Sequence, residues 1–174
     1  MPRPCAPAAL LYGIPINMQR GCFIKTPSGH ATEIFGDLGY DFVVIDEEHA
    51  PFDRLAIDQA LVSARAAQIA ALVRVASPSA SNILSVLDGG AIGVLVPHVS
   101  SAQQATEIAA ACRYRGGKRG FSNSPRAGRY GGLSLHQHVE HAVVWEGRSR
   151  EAPPYPDLWH SNGGAVRVSF YFRN

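Results

Sequence analysis

The segment IDEEHAP places three carboxylates and an imidazole in immediate succession, at Asp46, Glu47, Glu48 and His49. An imidazole beside a carboxylate is the usual form of a general base, because the carboxylate fixes the tautomer and raises the basicity of the ring. Asp46 is close enough in sequence to act on His49 in this way. The alternative is a solvated loop without a catalytic role, since single histidines near acidic residues are common.

A second polar residue, Arg74, stands inside the apolar segment ALVRVA. Burying a guanidinium is costly unless an anion meets it, so Arg74 is expected to face a carboxylate of the protein or of a ligand. A structural salt bridge and a ligand-binding role are both open. His98, in the segment VPHV, follows another apolar run and could border the same site, although a packing or surface position is the simpler expectation.

These residues stand near the ends of short apolar runs that alternate with segments of helical period. The pattern predicts strands at 21–25, 41–46, 71–75 and 93–96, and helices at 32–39, 52–67, 79–88 and 101–114. Four such strand–helix units predict parallel strands joined by helical crossovers. No glycine-rich phosphate loop follows any strand, which favours a (β/α)8 barrel over a nucleotide-binding open sheet.

The composition is that of a globular chain. With 174 residues, of which 46% are apolar and 17% charged, the chain is long enough for one domain with its own core. The net charge of +2 comes from scattered arginines without basic runs, so no nucleic-acid partner is expected. The three cysteines lack the spacing of a zinc site or a disulfide framework, and no segment has the length of a membrane span. We therefore expect a soluble, cytoplasmic protein.

The character of the sequence changes along the chain. Residues 1–20 are expected to form an N-terminal extension, 21–142 a partial barrel, and 143–174 an irregular, divergent tail. Residues 116–132, rich in Gly, Ser and Arg, predict a long active-site loop. In the tail only Ala165 to Phe172 alternates like a strand, and without an evident partner it is predicted to be an exposed edge.

The blocks DFVVIDEEHAPFD, LVRVA, LDGGAIGVLVPHVSSAQQA and CRYRGGKRGFSNSPRAGRYG resemble successive blocks of the HpcH/HpaI aldolase/citrate lyase family, in the family's order and spacing. The resemblance covers residues 21–130, and its most specific parts are D-x-E-H-A-P, the arginine of LVRVA and R-Y-x-x-G-x-R-G. It implies a (β/α)8 TIM barrel, of which about four βα units are present here. It also implies a metal-dependent lyase of the class II aldolase type, cleaving or forming a carbon–carbon bond next to a pyruvate-like 2-oxo acid through a metal-bound enolate.

The resemblance also implies roles for individual residues. His49, supported by Asp46, would be the acid/base, and Arg74 would bind the substrate and neutralise the enolate oxygen. Glu48 would support these groups from a second layer of contacts. The pocket for the aldehyde half of the substrate would be shaped by Arg119 and Ser122.

The implied cofactor is a divalent metal, Mg, Mn or Co, and the implied partners are a small 2-oxo acid and an aldehyde. The family's metal ligands, a Glu and an Asp, are not found in this sequence; Glu140 with His141, and Glu146, stand outside the family pattern. A full barrel needs about 250 residues, so an incomplete barrel with impaired activity is expected.

Two alternatives stay open beside the lyase. The first is a non-catalytic half-barrel that binds a 2-oxo acid weakly or only associates with a partner, and the second is an unrelated α/β binding module. A half-barrel exposes sheet edges, so self-association into a homo-oligomer is expected as well.

Overall fold

The structure is a computed structural model and describes residues 19–141, 143–146 and 165–170. Four strand–helix units confirm the predicted alternation, and they are β1 (Gly21–Ile24), α1 (Gly29–Asp37), β2 (Phe42–Asp46), α2 (Arg54–Ala66), β3 (Ala70–Arg74), α3 (Ala80–Asp88), β4 (Gly93–Val96) and α4 (Ala102–Cys112). They are followed by a short 3-10 helix (Arg126–Gly131), α5 (Leu135–His141), β5 (Val143–Glu146) and β6 (Ala165–Phe170). The predicted N-terminal extension lies outside the described residues except for its last two.

The described strands form one parallel sheet in the order β1-β2-β3-β4-β6-β5. Each crossover from β1 to β4 passes through one helix, as parallel neighbours require. In the register of β2 and β3, Asp46 lies directly opposite Arg74. The last residues of these two strands are therefore neighbours at one end of the sheet.

One face of the sheet packs against the helices and holds the core. Apolar residues at alternating positions are almost completely buried there, among them Ile24, Val43, Ile45, Val73 and Val94. On the other face, Phe42, Leu72 and Leu95 are only half-buried. Successive strand residues point to opposite faces of the sheet. Asp46 and Arg74 therefore lie on the same face as Phe42 and Leu72, the face that the helices do not cover.

Each of the four crossover helices begins with a side-chain cap. Ser28, Asp53, Ser79 and Ser101 each accept a hydrogen bond from a backbone N–H in the first turn. These caps fix the helix starts next to the carboxyl ends of the strands, where the loops carry the charged residues. Within the described residues, no helix combines the length and apolar character needed to cross a membrane.

Two parts of the C-terminal segment are described, residues 143–146 and 165–170, and each is a strand. The prediction that 165–172 lacks a partner is wrong, because β6 pairs with β4 on one side and with β5 on the other. The edge of β4 offers unpaired backbone N–H and C=O groups, and the alternating segment AVRVSF has the β-branched residues that suit such pairing. Helix α5 and strand β5 are not predicted from the sequence at all.

Candidate active site

Polar side chains gather at the carboxyl ends of β2, β3 and β4. We call Asp46, Glu48, His49, Arg74 and His98 the rim cluster. Asp46 ends β2 and Arg74 ends β3, while His98 follows β4 by two residues. Because all three strands are parallel and adjacent, their carboxyl ends meet at the same edge of the sheet.

A buried ion pair joins Asp46 to Arg74. Arg74 donates from Nε to Asp46 Oδ1 at 2.9 Å and from Nη2 to Oδ2 at 2.5 Å. Asp46 is completely buried, and it also accepts from the backbone N–H of His49 at 3.1 Å and lies 3.6 Å from Lys25 Nζ. Burial alone would raise the pKa of Asp46, but the hydrogen bonds and charges of these partners hold it below its usual value. The hydrogen bond to Asp46 in turn raises the pKa of Arg74, so both partners are charged.

Glu48 connects three side chains that come from three strand ends. Its Oε2 lies 3.3 Å from Arg74 Nη1. Its Oε1 accepts from His98 Nε2 at 2.8 Å and lies 3.6 Å from His49 Nε2. The Glu48 side chain is only 9% exposed, whereas the two imidazoles are 60% and 73% exposed for His49 and His98. One nearly buried carboxylate therefore carries a guanidinium on one oxygen and faces two accessible imidazoles with the other.

The contacts of the His49 ring differ from the sequence-based expectation. Asp46 meets His49 only through the backbone N–H, and the carboxylate beside the imidazole is that of Glu48. The physical reason is the planar guanidinium of Arg74, which engages both Asp46 oxygens with parallel N–H bonds. The sequence left open whether Arg74 meets a carboxylate of the protein or of a ligand. Within this chain it meets protein carboxylates, those of Asp46 and Glu48.

His98 is a member of the site that the sequence left aside. Its only sequence signal is the position two residues beyond the end of a buried strand. Its backbone takes the left-handed conformation, with φ +57°.

Arg119 and Ser122, predicted to shape the substrate pocket, do not contact the rim cluster within this chain. Arg119 is buried, donates to Asp88 Oδ1 at 2.7 Å and stacks on the ring of Tyr114 at 4.3 Å. The Ser122 hydroxyl pairs with that of Ser124 at 2.9 Å. Asp88 ends α3, and crossover helices run against the strands, so Arg119 lies toward the end of the sheet opposite the rim.

His138 holds the loop that follows Arg119. Its Nδ1 donates to Asn123 Oδ1 at 3.1 Å, because the Asn123 amide nitrogen donates to the Leu133 carbonyl at 2.6 Å. Its Nε2 then accepts from the Tyr114 hydroxyl at 3.2 Å. We call Asp88, Tyr114, Arg119, Asn123 and His138 the loop-anchoring cluster. It fixes the Gly-, Ser- and Arg-rich segment that the sequence predicts to be an active-site loop.

A groove of about 490 Å³ lies on the helical side of the sheet, between α2, α3 and the 3-10 helix. Glu47 borders it and accepts from the backbone N–H of Ala76 and from Asn82 Nδ2, both at 3.0 Å. Glu47 is thereby engaged away from Glu48, although the two are neighbours in sequence. On the far side of the groove, Arg126 pairs with Asp58 at 2.8 Å.

The described side chains do not by themselves fit a divalent cation. Among them, no group of three or more His, Cys, Asp or Glu residues has a metal-holding arrangement. At the rim, the oxygens of Asp46 and Glu48 are engaged by Arg74 and His98. The side chains of Glu140, His141 and Glu146, considered as substitute ligands, lie outside the described part of the chain.

The chain is similar to known proteins over most of its described residues. The model of the family described as HpcH/HpaI aldolase/citrate lyase matches residues 19–144. A hydroxypyruvate/pyruvate aldolase of Roseobacter denitrificans is 36% identical over 54% of this chain and 37% of its own length. A pyruvate aldolase of Rhizobium etli is 36% identical over 77% of this chain and 54% of its own length. A crystal structure of an HpcH/HpaI aldolase/citrate lyase family protein from Burkholderia cenocepacia superposes with a TM-score of 0.64 at 26% identity, over 72% of this chain and 53% of that one. The chain thus spans about half, or less, of the length of these relatives.

Proposed function

Because the chain belongs to the HpcH/HpaI aldolase/citrate lyase family, we propose that its rim cluster is the acid–base part of a carbon–carbon lyase site for a pyruvate-like 2-oxo acid. The four strand–helix units correspond to part of a TIM-barrel aldolase, and the relatives compared above are aldolases. One observation carries the proposal. Glu48 joins Arg74 and two accessible imidazoles at the carboxyl ends of three adjacent strands, the end where barrel enzymes hold their reactive groups.

The reaction that suits these groups is the retro-aldol cleavage of a 4-hydroxy-2-oxo acid. His49 takes the proton of the C4 hydroxyl, the C3–C4 bond breaks, and the C4 carbon leaves as an aldehyde. The bonding electrons form the enolate of pyruvate, which takes a proton at C3 to give pyruvate. His49 is suited to both proton transfers, because its ring is 60% exposed and makes no hydrogen bond with the nearby Glu48, 3.6 Å away.

Arg74 is proposed to stabilise the negative oxygen of the enolate. Its guanidinium is held by Asp46 and Glu48, so its direction is fixed before a substrate arrives. The N–H groups that these carboxylates leave free are available to a substrate oxygen, since a guanidinium has several donors in one plane. A fixed donor of this kind stabilises developing charge without a reorganisation cost.

The family implies a divalent cation such as magnesium, manganese or cobalt, which supplies a Lewis acid for the 2-oxo acid when it is bound. The described rim residues do not provide a ligand set for it. The roles proposed for His49 and Arg74 are therefore those of the protein side chains alone.

The test is a cleavage assay on the purified chain with a 4-hydroxy-2-oxo acid, without added metal and with Mg²⁺, Mn²⁺ or Co²⁺. Pyruvate release is followed by coupling to lactate dehydrogenase. We expect the substitution His49→Ala to lower turnover by about 100-fold or more, the usual contribution of a general base. His136→Ala, at an exposed position on α5, is the matched control and should leave turnover unchanged. Pyruvate release that is insensitive to His49→Ala would contradict the assignment.

A second candidate is weak binding of a 2-oxo acid without turnover. The contact that favours it is the double engagement of Arg74, because an incoming carboxylate must compete with Asp46 and Glu48 for the guanidinium. Calorimetric titration with pyruvate distinguishes the two. Heat of binding that is lost in Arg74→Lys, together with no pyruvate release from the 4-hydroxy-2-oxo acid, supports binding alone.

A further inference from the structure

The backbone of His98 is held in a conformation that non-glycine residues seldom adopt. Its φ of +57° lies in the left-handed region, directly after Pro97 and the end of β4. Such a conformation persists only where surrounding contacts enforce it, and it is enriched at functional sites. Here it accompanies a hydrogen bond from the His98 ring to the loop that follows β2, two strands away in the sheet.

That hydrogen bond involves an oxygen that a second imidazole could also use. Glu48 Oε1 is 2.8 Å from His98 Nε2 and 3.6 Å from His49 Nε2. Since a carboxylate only accepts, His98 carries the proton on Nε2 and donates it to Glu48. His49 lies just outside hydrogen-bond distance of the same atom. Of the two rings, His98 is therefore the one that is hydrogen-bonded to this oxygen.

We propose that His98 is a positioning residue of the rim cluster, which keeps Glu48 Oε1 occupied so that the His49 ring stays open to a substrate. The predicted effect of His98 on turnover rests on the proposed lyase function, whereas its effect on the position of the His49 ring does not. The contact itself can be tested on the resting protein. The other charged groups at this site are Arg74, on the second oxygen of Glu48, and Asp46 with its neighbour Lys25.

Removal of the His98 ring should let His49 move onto Glu48. In His98→Ala, the freed Oε1 needs a donor because Glu48 is nearly buried, and His49 is the nearest imidazole. A His49 ring bound to Glu48 holds its proton more tightly and transfers it less readily. We expect turnover to fall about 10-fold with KM changed less than about twofold, and the acid limb of the pH–rate profile to move to higher pH.

The decisive experiment is long-range ¹H–¹⁵N NMR of the histidine rings in the full chain, with a pH titration of wild type and variants. His98→Ala should change the ¹⁵N shifts and the titration curve of His49, whereas His136→Ala should not. His98→Gln keeps an amide N–H in reach of Glu48 and should restore the wild-type His49 signals. His98→Gly, which takes a positive φ without strain, replaces His98→Ala if the alanine variant does not fold.

The possible results separate cleanly. Unchanged His49 signals in folded His98→Ala or His98→Gly overturn the proposal, and so does a folded His98→Gln variant that behaves like the alanine variant. If the NMR effect is present but wild type releases no pyruvate, His98 is confirmed as a positioning residue and the lyase function fails. If wild type is active but the His98 variants leave both the His49 NMR signals and the pH–rate profile unchanged, the lyase function is supported and the positioning role of His98 is contradicted.

Discussion

The rim cluster and the loop-anchoring cluster lie toward opposite ends of one sheet, and each is built around an Arg–carboxylate pair. In the loop-anchoring cluster, Arg119 and His138 are 7% and 3% exposed, and the ring nitrogens of His138 both have protein partners. In the rim cluster, the side chains of Arg74 and Asp46 are 19% and 0% exposed, compared with 1% and 21% for Arg119 and Asp88. The rim pair, however, supports the exposed imidazoles of His49 and His98. Both clusters thus contain a shielded Arg–carboxylate pair, but the imidazoles beside it are exposed in the rim cluster and buried in the loop-anchoring cluster.

This difference separates a structural use of charge from a chemical one. A buried histidine whose two nitrogens are both hydrogen-bonded has no free site for a proton or a substrate. An exposed histidine next to a fixed carboxylate has one. The presence of His, Arg and Asp in both clusters therefore does not distinguish them. The clusters are distinguished by the exposure of the imidazoles and by their positions beside Glu48.

The largest expected effect concerns the shared feature, the buried pair at the rim. Asp46→Asn removes the charge opposite Arg74, and we expect the free energy of unfolding to fall by about 3 kcal/mol, the low end for breaking a buried ion pair, because Glu48 still meets Arg74. Urea denaturation followed by circular dichroism measures the loss. Asp37→Asn, at an exposed position at the end of α1, is the control and should change it by less than about 0.5 kcal/mol. A loss below about 1 kcal/mol at Asp46 would show that the pair does not support the rim.

The end of the sheet away from the rim cluster should exclude solvent and reagents from the Cys112 thiol. Cys112, the last residue of α4, is completely buried, and burial raises the pKa of its thiol to about 11 from 9.0, against the lowering effect of the charges of Arg119 and Arg113. At pH 8 this leaves about 100-fold less thiolate than an ordinary thiol has, before burial limits the access of reagent. Brief alkylation and peptide mass spectrometry should therefore modify Cys112 only in urea. Half-exposed Cys22 serves as the internal reference, and equal labelling of both thiols in the native chain would contradict this account.

The Arg119–Asp88 pair should stabilise the fold without affecting the rim cluster. Arg119→Met keeps the length of the side chain but removes the charge, and we expect stability to fall by about 2 kcal/mol. The loss should be smaller than at Asp46, because Asp46 faces two cations, Arg74 and Lys25. The ¹⁵N signals of His49 and His98 should not change. Lys118→Met, at the exposed neighbouring position, is the control for both measurements. Altered rim signals in Arg119→Met would mean that the two clusters are coupled, and the comparison would fail.

The sequence predicted which strands carry the site residues and at which edge of the sheet they lie, but it did not predict the contacts between their side chains. Buried parallel strands are continuous apolar runs, so the polar residues that end them, Asp46 and Arg74, could be assigned to one edge. Their direct pairing depends on register, which no local pattern specifies. His98, which engages Glu48, has a left-handed backbone although it is not glycine, and the sequence does not indicate this conformation.

Two other differences have the same origin in long-range structure. Arg119 stands in a motif shared with the family, but the sequence does not say toward which end of the sheet that motif lies. The strand at 165–170 could be recognised by its alternation, whereas its place between β4 and β5 follows from an available edge and from chain connections that periodicity does not encode. Local signals define elements, and the pairing of distant elements decides which polar groups meet.

The smallest effect is the pH dependence that the Asp46–Arg74 pair confers on stability. The folded pKa of Asp46 is lowered, despite its burial, by Arg74 and the other partners, while an unfolded aspartate titrates near about 3.9. The stabilisation is thus fully present above about pH 4 and is lost as the pH falls through the lower folded value. Urea denaturation from pH 7 to pH 3 should show the stability difference between wild type and Asp46→Asn constant down to about pH 4 and shrinking below it. The difference between wild type and Asp37→Asn should show no such decline. A difference at Asp46 that stays constant down to pH 3 would mean that the carboxylate is not the source of the effect, and that shape rather than charge holds Arg74 at the rim.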